Sequence, residues 1–293
     1  MKKWNKLLCL LLVFVVVLTA CGTKSDQKHD EGQSEGHTYK RIISLMPSNT
    51  EILYELGLGD DVIGVSTVDD YPKEVKDKKQ FDAMKLNKES LMKAKPDLIL
   101  AHESQKATND KVLKGLKDSG VKVVYVKDAQ SIDEMYESFM QIGKVTHKEK
   151  AAKKLVKETK QNIGNVKKSV PNDVKGQKVF MEISSEPEIY TAGKETFFDD
   201  MLTQLKAENS FSNLKGWQKV SKEDIIKQNP DLMISTMGIS SSEYQKMINK
   251  RGGFNQIKAV QHNKVKAVNG DEISRPGPRI DDGLKKLKEA IYE

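Results

Sequence analysis

Cysteine is almost missing from this chain: Cys9 and Cys21 are the only two in 293 residues, and both fall within the first 21 positions. The body that follows therefore has no disulfide framework and no thiol nucleophile. Long apolar runs are scarce as well. The run at residues 7–17 covers about 11 positions, short of the ~20 that a helix needs to cross a bilayer. There is no Gly-x-Ser-x-Gly elbow, no phosphate-cradling Gly-Lys-Ser/Thr loop and no His-Glu-x-x-His helix. Of five histidines, His29 and His37 lie near the N-terminus, and His102, His147 and His262 are scattered. That spacing is unsuited to a tight three-histidine metal centre. These absences point to a protein that binds without catalysing, and no cofactor is expected.

Charge of one sign is not concentrated anywhere in the body. The formal net charge is +7, but Lys2, Lys3 and Lys6 sit in a leader, and losing them with no accompanying acid leaves +4. The remaining lysines alternate with acids, as in Lys148-Glu149-Lys150 and Lys153-Lys154 with Glu158, the pattern of a solvated helix face. Nucleic acid is not an expected partner.

The leader is the first positive feature. A basic start, the apolar run and the sequence Leu18-Thr19-Ala20-Cys21 read as a signal peptide over residues 1–20. The small residue before Cys21 resembles the bacterial lipobox, which makes Cys21 the site of lipidation. Residues 21–39, with hardly an apolar side chain, read as a flexible tether. The expected location is the extracytoplasmic face of the cell membrane, held there by lipid.

The body reads as α/β. Arg41-Ile42-Ile43-Ser44-Leu45-Met46 is a β-branched run that stops at Pro47, and Ser48 with Glu51 three residues on predicts a capped helix. Further strands are expected near residues 62–65, 98–101, 121–126, 178–183, 232–235 and 265–268, with helical stretches between. The alternation predicts mainly parallel sheets covered on both faces. Residues 40–145 form one lobe, 171–293 a second, and 146–170 a connecting helix. Ala152, Val156, Thr159, Ile163 and Val166 recur on that helix at steps of three and four. The fold expected is two Rossmann-like lobes with the ligand cleft between them. An internal echo supports the division: Glu89 and Glu223 each stand seven residues before a Pro-Asp-Leu, at 96–98 and 230–232.

Open α/β sheets meet ligands at the loops after their strands. Those loops offer Met46, Tyr71, His102 and the segments 186–191 and 236–239. Tyr71, Tyr190 and Trp217 could stack on a flat ligand, with Trp217 in a polar loop at 215–218.

Taken together, Ile43-Ser44-Leu45-Met46-Pro47-Ser48-Asn49-Thr50-Glu51, Gly64-Val65-Ser66 with Asp70-Tyr71-Pro72, Tyr190-Thr191-Ala192-Gly193, Trp217-Gln218-Lys219-Val220 and Arg275-Pro276-Gly277-Pro278-Arg279 carry a resemblance. Over residues 40–292 the chain resembles the helical-backbone class of ABC transporter substrate-binding proteins, which carry cobalamin, ferric siderophores or haem. Its strings are most similar to the cobalamin binders. The resemblance implies that the chain captures cobalamin at Tyr190 and Trp217 and docks on the permease through Glu89 and Glu223, with an ATPase subunit as the further partner; a monomer is expected. Ferric siderophore, to which Arg275 is suited, or haem, for which Met84 would be a ligand, are the alternatives in the same class. A sensor or adhesion lipoprotein is a further alternative.

Overall fold

The computed structural model describes residues 38–172 and 176–293. The leader, Cys21 and nearly all of the tether lie outside the described residues.

The apolar run at the start of the body becomes strand β1 (Ile42–Ser44), and Pro47 opens the helix Pro47–Glu55. Proline suits that first position because its missing N–H would have had no helical partner. The expected cap at Ser48 is not formed. Met46 is the N-cap, without a side-chain bond, and Ser48 lies inside the helix. Glu51 is used elsewhere, as described below.

Four further strands complete the first sheet: β2 (Val62–Ser66), β3 (Lys79–Phe81), β4 (Leu98–His102) and β5 (Lys122–Val126). Their order is β3-β2-β1-β4-β5, and every pairing is parallel. The second sheet begins with β6 (Lys178–Ser184), β7 (Tyr190–Ala192) and β8 (Glu208–Asn209). It continues with β9 (Trp217–Lys219), β10 (Leu232–Ser235) and β11 (Val265–Ala267). Its order is β11-β10-β6-β7-β9, with β8 also paired to β6. This sheet is mixed: β6, β8, β10 and β11 run parallel, whereas β7 is antiparallel to both β6 and β9.

The internal echo has a structural cause. In the first half, the Asp97 carboxylate accepts hydrogen bonds from the backbone N–H groups of Lys40 and Arg41, at 2.8 and 3.1 Å. In the second, Asp231 accepts from the N–H of Lys178 at 3.1 Å. Each aspartate pins the start of a sheet's central strand to the strand that it itself begins. The leucines after them occupy matched registers, Leu98 opposite Ile42 and Leu232 opposite Val179.

Alternate side chains on these strands feed different layers, as the two-residue period requires. Ile43 and Ile99 point into an apolar cluster private to the first sheet, and Phe180 and Met233 into one private to the second. Ile42, Leu98, Met181 and Ile234 point the other way, into one continuous cluster shared by both halves. Helices 132–145, 149–168 and 280–292 fill that shared layer with Phe139, Leu155, Ile163 and Leu284. Thr38–Glu293 accordingly form a single compact unit.

The helix between the two sheets is Glu149–Lys168, 20 residues, starting three positions later than its pattern predicts. Thr146 instead caps the preceding helix, donating its hydroxyl to the Ile142 carbonyl at 2.8 Å. His147, in the left-handed region at φ 56°, makes the turn between the two. Ala152, Leu155, Thr159 and Ile163 form the buried stripe, and Val156 and Val166 are partly buried beside it. Among the described residues no helix is long and apolar enough to cross a membrane.

Candidate functional site

The carboxyl ends of both sheets converge on one cleft. Met46, Val68 and Asp128 follow β1, β2 and β5, His102 ends β4, and Met237 and Asp271 follow β10 and β11. The cleft comprises two adjoining cavities of about 310 and 390 Å³ that share Phe198, Trp217, Asp271 and Ser274. The first is walled by residues of both halves and the second by residues of the C-terminal half.

Trp217 stands at the junction. It lies on β9 rather than in the loop expected for it, and is 47% exposed. Its ring meets the buried Phe198 edge-on, with centroids 5.5 Å apart and planes at 82°. That arrangement fixes the indole while leaving a large apolar face open to the cleft. Tyr190 lines neither cavity. Cross-strand partners share a face, and Tyr190 pairs with Lys219 while Ala192 pairs with Trp217, so Tyr190 and Trp217 occupy one face of the β7–β9 ribbon. Met46 is a half-buried lining residue on the opposite wall.

His102 lines the cleft, but its ring nitrogens are turned to the protein. Nδ1 lies 2.8 Å from the Ser104 hydroxyl and accepts from the Ser104 N–H, while Nε2 sits 3.5 Å from Asp128. The residue caps a short turn at 103–105, which occupies the lone pair a metal would need. Burial holds its pKa below the ordinary histidine value, against the opposing pull of Asp128 and Glu103. The imidazole is therefore neutral at pH 7.

Among the described residues Arg275 is the one arginine of the cleft wall, and its charge is consumed. Nη1 meets the Asp70 carboxylate and lies 3.7 Å from Glu51, and Nη2 lies 3.0 Å from Asp271. Four residues on, Arg279 grips Glu51 through two hydrogen bonds of 2.9 and 2.6 Å. Glu51 is only 2% exposed. The guanidinium of Arg279 also lies over the Tyr71 ring, 3.9 Å from its centroid. Tyr71 is thereby held away from the cleft. It borders a separate cavity of about 450 Å³ lined by residues of the N-terminal half, including Glu51, Tyr54 and Glu74.

Glu89 and Glu223 are exposed, each the second residue of its helix, at 88–93 and 222–228. Neither carries a capping bond. Asn87 caps the first helix, and Ser221 with Asp224 forms a capping box on the second. Asp128, Asp271, Phe197 and Phe198 line the cleft without having been singled out in the sequence. The strands β5 and β11 that deliver the two aspartates were legible, so the loops following them carried the signal.

Two parallel-cored sheets with one cleft at their carboxyl ends are the architecture of a two-lobed substrate-binding protein. The profile of the periplasmic binding protein family matches residues 42–271, and the chain belongs to that family. An uncharacterised ABC transporter substrate-binding lipoprotein of Bacillus subtilis, YvrC, is 39% identical over 312 residues, spanning 100% of this chain and 98% of the relative. A vitamin B12-binding protein of Pectobacterium atrosepticum is 30% identical over 247 residues, 82% of this chain and 84% of its own. The crystal structure of a possible iron-binding (periplasmic solute-binding) protein from Staphylococcus epidermidis superimposes with a TM-score of 0.82 at 66% identity. It covers 88% of this chain and 100% of that one.

Proposed function

We propose that this chain is the lipid-anchored, extracytoplasmic substrate-binding component of an ABC importer, and that it captures a bulky metal chelate, a corrinoid of the cobalamin type being the first reading. The observation that carries the reading is the half-exposed Trp217, braced edge-on by Phe198 at the junction of the two cavities. A large indole face left open to water at a cleft is an unfilled apolar contact, and a macrocycle fills it. The 30% identity to a vitamin B12-binding protein supports the corrinoid. Tyr190, on the same ribbon face, extends the platform. Glu89 and Glu223 dock the permease, one from each half, and Cys21 carries the lipid.

An iron chelate is the second reading, favoured by the 66% identity to a protein described as possibly iron-binding. Cleavage before Cys21 removes Trp4, so Trp217 is the sole tryptophan of the mature chain. Titrating cyanocobalamin, corrected for inner-filter absorption and checked by calorimetry, should quench its emission and give saturable binding. An absence of corrinoid binding at micromolar concentration, with tight binding of a ferric chelate, replaces the first reading with the second.

A further inference from the structure

The cleft has a sign of charge opposite to that of the chain. The whole chain carries a formal +7, yet among the described residues no lysine lines either cavity of the cleft. Arg275, the only arginine there, is already paired with Asp70 and Asp271. Two carboxylates, Asp128 and Asp271, stand on the wall against that one base. Asp271 shares Arg275, but Asp128 has no such partner. Its side chain is 46% exposed, and among the described residues the one base paired with it is His102 at 3.5 Å, a ring that is neutral at pH 7.

An anion entering this cleft would give up hydration without meeting a free cation, which is costly. Asp128 would add a repulsion proportional to the ligand's charge. A neutral ligand bearing amide N–H donors, or a cation, meets an unused acceptor instead.

We infer that the cleft takes metal chelates of zero or positive net charge and rejects polyanionic ones, and that Asp128 is the residue that sets this discrimination. The inference rests on reading the cleft as a metal-chelate site, not on which chelate fills it. Calorimetric titration of the full mature chain should compare cyanocobalamin, which is neutral, a ferric trihydroxamate, neutral or monocationic, and a ferric tris-catecholate, a trianion.

At least one of the first two should bind, with the trianion at least about 100-fold weaker. Asp128→Lys should shrink that ratio by about tenfold or more, and added salt should shrink it in the native chain. Binding of the tris-catecholate as tight as the better neutral ligand overturns the inference. A ratio unmoved by Asp128→Lys removes Asp128 from it. Binding of the trihydroxamate without the corrinoid defeats the corrinoid reading and leaves the charge selection standing. Equal binding of corrinoid and tris-catecholate does the reverse.

Discussion

The two halves of this molecule share a frame and differ at matched points within it. Counting from Leu98 opposite Ile42 and Leu232 opposite Val179, the residue three further along the central strand line is Leu45 in the first half and Glu182 in the second. Both are buried, Leu45 at 1% and Glu182 at 0% exposure. Leucine sits among hydrocarbon at no polar cost. The glutamate is held by Arg251, whose Nη1 donates at 2.8 Å and whose Nη2 makes a second contact, and by the Tyr244 hydroxyl at 2.8 Å. Burial drives the Tyr244 phenol well above its ordinary pKa, with the Glu182 charge adding to it. The frame thus comes from short local signals that both halves carry, and each half solves its own interior.

The sharpest way to break this comparison is Glu182→Leu, which imposes the first half's solution on the second. It leaves Arg251 buried without its carboxylate, and denaturant unfolding should show a loss of about 3–5 kcal/mol. Adding Arg251→Met and Tyr244→Phe should return stability to within about 1 kcal/mol of the native chain, or above it. A single variant as stable as native would mean that the pair is not what holds this interior.

A smaller effect tests the division of aromatic residues between the halves. Trp217→Ala should weaken ligand binding by about 1–3 kcal/mol, or roughly 5- to 150-fold. Tyr71→Ala, on the Arg279 side of the first half, should change affinity only a few-fold. Calorimetry on both variants separates the two roles, and an equal loss would return Tyr71 to the ligand site.

Glu89 and Glu223 should matter less to the protein itself. Because Asn87 and Ser221 do the capping, changing both glutamates to Lys should cost less than about 1 kcal/mol each in stability and leave affinity within a few-fold. Uptake in cells should nevertheless fail. Normal uptake by the double variant would leave these carboxylates with only a weak dipole role.

The smallest change expected is in the distance between the halves. They share one apolar layer and a continuous helix at 149–168, which has few torsions free to act as a hinge. Solution scattering should show little compaction on adding ligand, and a large one contradicts this.

Seven of the eleven strands among the described residues were legible because each is an apolar run, Val121-Lys122-Val123-Val124-Tyr125-Val126 being a clear case. Strands β3, β7, β8 and β9 were not. They have two or three residues each, and Glu208-Asn209 or Trp217-Gln218-Lys219 have no apolar pattern of their own. Their ladders exist because a neighbouring strand offers its edge, which is information from elsewhere in the chain. The same reason hid the site's charge balance. Arg275 read alone suggests an anion site, and only the fold brings Asp70, 205 residues earlier, onto its guanidinium. Likewise nothing near Glu182 announces Arg251.

The clasp between Glu51 and Arg279 joins residues 228 positions apart. Synthesis from the N-terminus delivers Glu51 early and Arg279 almost last. Until then this carboxylate lacks the two hydrogen bonds that Arg279 gives it, so the burial of Glu51 in the first half waits on the last stretch of the chain. A chain shortened before Arg279 should therefore leave Glu51 hydrated and the interior of the first half incompletely closed.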